Sequence, residues 1–108
     1  MFQAPDPAVD VFVVDTTGGR EALRITADLR AAGISCDRSF ENRSMKAQMK
    51  GANRSGAAFA VIVGTDEVAA GTAAVRPLRG DGDQEAVDRD RLVHDLQQPL
   101  DQRVDQRP

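Results

Sequence analysis

Arg43, Lys46, Lys50 and Arg54 recur at spacings of three and four within NRSMKAQMKGANRSG, Asn42 to Gly56, a stretch without an acid. At roughly 100° per helical residue they occupy an arc of about 80°. Met45, Met49 and Ala52 fall on the opposite side, so the helix can dock through its apolar stripe and present its cations outward. A solvated face ordinarily mixes charge signs for support between residues four apart, and none of that mixing occurs here. Such a ridge is suited to binding phosphate. Its length of about 15 Å matches a polymer backbone better than a small ligand, and single-stranded or loop RNA fits best. None of the four phenylalanines lies in the segment. With no aromatic stacking platform, bases would have to be read by polar side chains. The competing reading is an ordinary solvated basic face.

Other chemistry-bearing residues point elsewhere. TTGG between a strand and a helix invites a phosphate-loop reading, but neither GxGxxG nor GK[ST] is present, so a turn with Thr17 as helix cap is expected. Cys36 shares a strand face with Ile34 and is expected in the core. His94, the one histidine, falls in an acidic final helix with no nucleophile to serve and is expected to be partly exposed. No metal-ligand pattern is evident.

The elements that must position the basic helix follow from periodicity. VDVFVVD is an apolar strand covered on both faces. GREALRITADLRAAG places Ala22, Ile25, Leu29 and Ala32 at helical spacing before Gly33, a C-cap. ISCDRSF is a short second strand; Asn42 and Ser44 offer caps for the basic helix, which Gly56 closes. AAFAVIVG is a third strand, so the order βαβαβ predicts right-handed crossovers and a parallel core. TDEVAAG reads as a short turn. TAAVRPL and GDQEAVD read as two strands joined through RGDG, with Pro77 near an edge or strand end. Asp88 is expected to cap a last helix with Leu92, Val93 and Leu96 inward, and Pro99 to stop it. The expected organisation is a linker over 1–8, one domain over 9–98 and a disordered tail over 99–108.

Composition sets the outer bounds. A chain of 108 residues supports one core, and with 41% apolar residues but 4% aromatic that core must rest on aliphatic side chains. The single cysteine suits a reducing compartment, and no segment resembles a signal peptide or a bilayer span, so a cytoplasmic protein is expected. The net charge of −3 conceals an uneven layout. Arg38 to Arg54 holds five cations against one acid, whereas Asp81 to Pro108 holds four arginines against eight acids.

The run RSMKAQMKGANRSGAAFAVIVGTDEVAAGTAAVR closely resembles the C-terminal anticodon-binding domain of histidyl-tRNA synthetases. The likeness covers roughly Val9 to Leu96, with the SMKAQMK helix start, the AxRSGA helix end, the VIVG strand and the DEVAAGT turn in order. Threonyl-, prolyl- and glycyl-type siblings share the architecture, but MKAQMK and AAGT look histidyl. The resemblance implies a three-layer α/β/α fold with a five-stranded mixed sheet and three helices. It implies a tRNA(His) anticodon loop as partner, alongside the catalytic domain of the synthetase. By the same resemblance the anticodon site falls on Asn42, Glu67 and Arg76. A carboxylate such as Glu67 can accept from the N1–H and N2–H₂ edge of an unpaired guanine, and Arg76 can fork onto guanine acceptors or a phosphate. Lys46 and Lys50 are expected on phosphates, with Arg43 and Arg54 as weaker candidates. The signature motifs of the ligase reaction are absent, so this chain alone is expected to be no enzyme and to need no cofactor, ATP and magnesium belonging to the catalytic domain. The alternative is a freestanding α/β small-ligand or protein-interaction module that binds no RNA.

Overall fold

The structure, a computed structural model, describes residues 9–39, 44–79 and 82–105, the last five of these as backbone only. The expected linker over 1–8, and Asn42 and Arg43, lie outside the described residues. Five strands form one sheet: β1 (Val11–Asp15), β2 (Cys36–Arg38), β3 (Phe59–Val63), β4 (Thr72–Pro77) and β5 (Glu85–Asp88). Their order is β2-β1-β3-β4-β5. β1 runs parallel to both neighbours, while β4 and β5 pair antiparallel. The sheet is mixed, as the sequence pattern predicts.

Alternation along the strands divides the core in two. Val11, Val13, Val61, Val63 and Ala73 point to one face, where they meet Ala22, Ile25 and Leu29 of helix α1 (Arg20–Ala31) and Leu92, Leu96 and Leu100 of helix α4 (Leu92–Asp105). Phe12, Val14, Ala60, Ile62 and Ala74 point to the other, where Ala52 and Met49 of helix α2 (Met45–Ser55) pack. This is the expected three-layer arrangement. Cys36 is buried with the first group, its Sγ donating to the Thr26 carbonyl at 3.5 Å. Burial pushes its thiol pKa up, and the buried thiol serves as packing. His94 is exposed on α4.

Four local expectations are corrected. TDEVAAG is a helix, α3 (Thr65–Ala70), whose C-cap Gly71 has φ 71°, a left-handed conformation open to glycine at no steric cost. Pro99 does not stop α4, which continues through it to Asp105, so residues 99–105 of the expected tail are helical. Leu100, buried in the core next to the proline, holds that turn in place despite the lost hydrogen bond. Asp88 precedes a turn of 3₁₀ helix, Arg89–Arg91, rather than α4, and its side chain makes no capping bond. Nor does Thr17 cap α1. That role falls to Asp15, whose buried carboxylate accepts from the Ala22 N–H at 3.0 Å, the Thr17 N–H at 2.6 Å and the Thr17 hydroxyl at 2.5 Å. A carboxylate therefore already fills the place a phosphate would take at this helix start, which closes the phosphate-loop reading.

Candidate nucleic-acid interface

α2 begins at Ser44, whose Oγ accepts from the Ala47 N–H at 3.2 Å. It ends at Gly56, with φ 79°, whose carbonyl accepts from Arg79 Nε at 3.2 Å. Of the apolar stripe read from the sequence, Met49 and Ala52 do face the sheet, and Met45 alone does not. Met45, in the first turn, is 40% exposed, and the face that docks is formed by Gln48, Met49, Gly51 and Ala52. The helix lies close enough to β1 that a Cβ on Gly51 would sit 3.4 Å from Phe12 Cζ. Nearer the other end, the buried Gln48 amide bonds the Asp15 backbone twice, accepting from its N–H at 2.9 Å and donating to its carbonyl at 2.8 Å.

With that face turned inward, Lys46, Lys50 and Arg54 are all exposed, as the helical spacing requires. None of the three, nor Arg76, forms an ion pair with another described residue, in contrast to Arg89, which holds Glu21 at 2.7 Å. Lys46 stands in the first turn of α2, where there is no acid. Cations there are disfavoured by the helix dipole, by about 0.3–1 kcal/mol at an exposed site. The basic stripe therefore carries a small cost within the free fold.

The strand register places the remaining candidates. Arg76, exposed two residues after Ala74, leaves β4 on the face that carries α2, and it lies level with Phe12 because Phe12 pairs with Ala60 and Ala60 with Arg76. Since Gly51 also packs on Phe12, Arg76 sits at the level of the C-terminal half of α2, toward Arg54. Glu67 lies beyond the opposite end of β3, in α3, on the side of Asp15 and Gln48 and so toward Lys46. Ala60 and Val63 are three residues apart, so about 10 Å of strand separates the two levels before α3 begins. The fold thus brings Lys46, Lys50, Arg54 and Arg76 onto one side and spaces Glu67 and Arg76 toward opposite ends of the ridge. Glu67 already accepts from the Gly64 N–H at 2.7 Å through Oε1, which engages one of its two oxygens in helix capping.

Gln48 was not legible as a site residue. Its signal was faint: a polar amide on the side of α2 that carries Met49 and Ala52. Among the described residues, no group of three or more His, Cys, Asp or Glu side chains could hold a metal ion, and no helix is long and apolar enough to cross a membrane.

Residues 9–98 match the family model described as "Anticodon binding domain". Among curated relatives, the histidine–tRNA ligase of Solidesulfovibrio magneticus is 41% identical over 96 residues, 89% of this chain and 23% of that protein. The histidine–tRNA ligase of Burkholderia thailandensis is 51% identical over 81 residues, 69% of this chain and 18% of that protein. The apo histidyl-tRNA synthetase of S. aureus superposes with a TM-score of 0.77 at 29% identity, over 86% of this chain and 24% of that one. The RNA-binding domain of threonyl-tRNA synthetase from Cryptosporidium parvum gives a TM-score of 0.73 at 13% identity, over 82% of this chain and 23% of that one, a likeness of fold. The chain spans about a quarter or less of the length of these proteins.

Proposed function

Since the chain belongs to the anticodon-binding domain family, we propose that it holds the anticodon stem-loop of histidine tRNA as the recognition arm of a histidine–tRNA ligase. In this reading the chain catalyses no step of the reaction itself. Histidine activation, ATP and magnesium belong to the part of the ligase outside this chain, and the whole works in the cytoplasm.

The observation that carries the reading is the exposed row Lys46, Lys50 and Arg54, without an ion pair to another described residue, with Arg76 on the same side of the molecule. The first-turn placement of Lys46 opposes the helix dipole, and a phosphate bound there would offset that cost, since a helix N-terminus favours an anion. The histidyl assignment draws on the names of the relatives. Lys46 and Lys50 are assigned to loop phosphates, Arg54 and Arg43 to the flanks, and Asn42, Glu67 and Arg76 to bases. Given their separation, Glu67 and Arg76 would read different nucleotides.

The test is titration of this chain with the anticodon stem-loop of histidine tRNA from 50 to 200 mM salt. Neutralisation of three or four phosphates predicts a slope of log K against log salt of about −2 to −3. Replacement of an anticodon guanine should weaken binding by about 1–3 kcal/mol, by analogy with base readout in DNA. Absence of binding at 50 mM salt, or equal affinity for every loop sequence, overturns the assignment.

A further inference from the structure

We infer that Gln48 is the positioning residue of the basic helix, setting where Lys46, Lys50 and Arg54 stand by holding α2 to the end of β1; the inference rests on the RNA-binding reading above. β2 pairs with β1 only as far as Val13, so the main chain at Asp15 has no strand partner on that side. The Gln48 amide supplies one. Its carbonyl oxygen takes the Asp15 N–H at 2.9 Å and its NH₂ gives to the Asp15 carbonyl at 2.8 Å, the two-point pattern a neighbouring peptide would make. The side chain is 3% exposed, so water competes little for these bonds.

Two bonds to one residue fix both the rotation and the axial setting of the helix, which apolar packing alone does not. The other docking residues are Gly51, which lies against Phe12, Ala52 and the partly buried Met49; two are small and the third is a flexible thioether, so they resist sliding weakly. One helical residue corresponds to about 100° of rotation, so a small turn of α2 carries the cations off the line of the phosphates. Asp15 is itself held from the other side, because its carboxylate caps α1. Gln48 therefore ties the basic helix to a fixed point of the sheet.

The experiment compares Gln48→Leu, which keeps bulk and removes both bonds to Asp15, with Leu96→Ala, which opens the core on the opposite face. Both are titrated with the anticodon stem-loop of histidine tRNA at a temperature where circular dichroism shows each folded. A positioning role predicts that Gln48→Leu makes the salt slope shallower by about 0.7 for each phosphate the displaced cations no longer neutralise, about fivefold in Kd at 0.1 M salt when the lines are referred to 1 M. Leu96→Ala should leave slope and Kd unchanged. Gln48→Glu, which can still accept from the Asp15 N–H but sets an oxygen against its carbonyl, should fall between wild type and Gln48→Leu. The inference is overturned if folded Gln48→Leu binds with wild-type slope, if Leu96→Ala loses as much, or if both Gln48 variants fail to fold while Leu96→Ala folds. Failure of the wild type to bind brings down the RNA-binding reading, and this one with it.

Discussion

Asp15→Asn tests the junction on which both helices depend. In the native chain the carboxylate of Asp15, a residue 5% exposed, takes two bonds from Thr17 and one from the Ala22 N–H. An asparagine can keep Oδ1 on Thr17, but its NH₂ then faces the Ala22 N–H, donor against donor. A buried N–H left unpaired costs about 1–3 kcal/mol, and the two retained bonds lose the added strength of an ionised acceptor. A total loss of about 2–4 kcal/mol is expected at pH 7, a large share of the roughly 5–15 kcal/mol that such a domain has. Burial pushes the Asp15 pKa up, but the Thr17 hydroxyl and the Ala22, Thr17 and Gly19 N–H groups together hold it below the ordinary value of 3.8. A lowered folded-state pKa means that this stabilisation is complete above about pH 5 and fades as pH falls through the folded value. Urea unfolding of both proteins between pH 7 and pH 3 should therefore show a wide gap in midpoint that narrows in acid. A gap under about 0.5 kcal/mol at pH 7, or one that stays constant to pH 3, refutes the argument.

Three further substitutions are informative. Gly51→Ala should stabilise the fold by about 0.5–1 kcal/mol in urea unfolding, because the helix interior favours alanine and the new Cβ meets Phe12 Cζ at 3.4 Å, an ordinary contact. Lys50→Ala should leave unfolding unchanged and weaken every RNA alike, with the salt slope shallower by about 0.7 in filter binding. Glu67→Gln keeps an acceptor for the Gly64 N–H and so should shift stability by less than about 1 kcal/mol, yet lose about 1–3 kcal/mol of preference for a loop carrying guanine over one carrying adenine.

The continuous apolar runs of β1 and β3, the 3.6-residue period of α1 and the glycine punctuation were enough to read the layers and the mixed sheet, because burial on both faces leaves a dense signal in sequence. The exposure of Lys46, Lys50 and Arg54 was legible for the same reason. Less legible were features decided by contacts between distant segments. Asp15 outcompetes Thr17 for the start of α1 because the strand end delivers a charged acceptor to the Ala22 N–H, seven residues away. Met45 stays exposed because it opens the helix, ahead of the turn that meets β1. Gln48 and Asp15 are 33 residues apart, so neither periodicity nor spacing could pair them. Pro99 misled because packing of Leu100 outweighs the local preference to end a helix there.

How a chain of net charge −3 can attract a polyanion is a question of distance. Glu85, Asp88 and Asp90 lie on or directly after β5, the edge strand farther from β1, whereas α2 lies over β1. β1 and β5 are three strand spacings apart, about 14 Å. The Debye length is about 8 Å at 0.15 M salt, so most of the repulsion from the acidic edge is screened at the ridge, while a phosphate in contact with Lys50 is not. At 0.01 M salt the Debye length grows to about 30 Å and the acids act on the same RNA. The plot of log K against log salt should therefore be straight near physiological salt and flatten below about 0.03 M, where added attraction to the ridge is offset by the edge. Removing charge at the edge with Glu85→Gln and Asp90→Asn, both exposed, should restore linearity at low salt and leave affinity at 0.15 M nearly unchanged. A straight line to 0.01 M in the unaltered chain would mean that the two charge regions do not divide the work in this way.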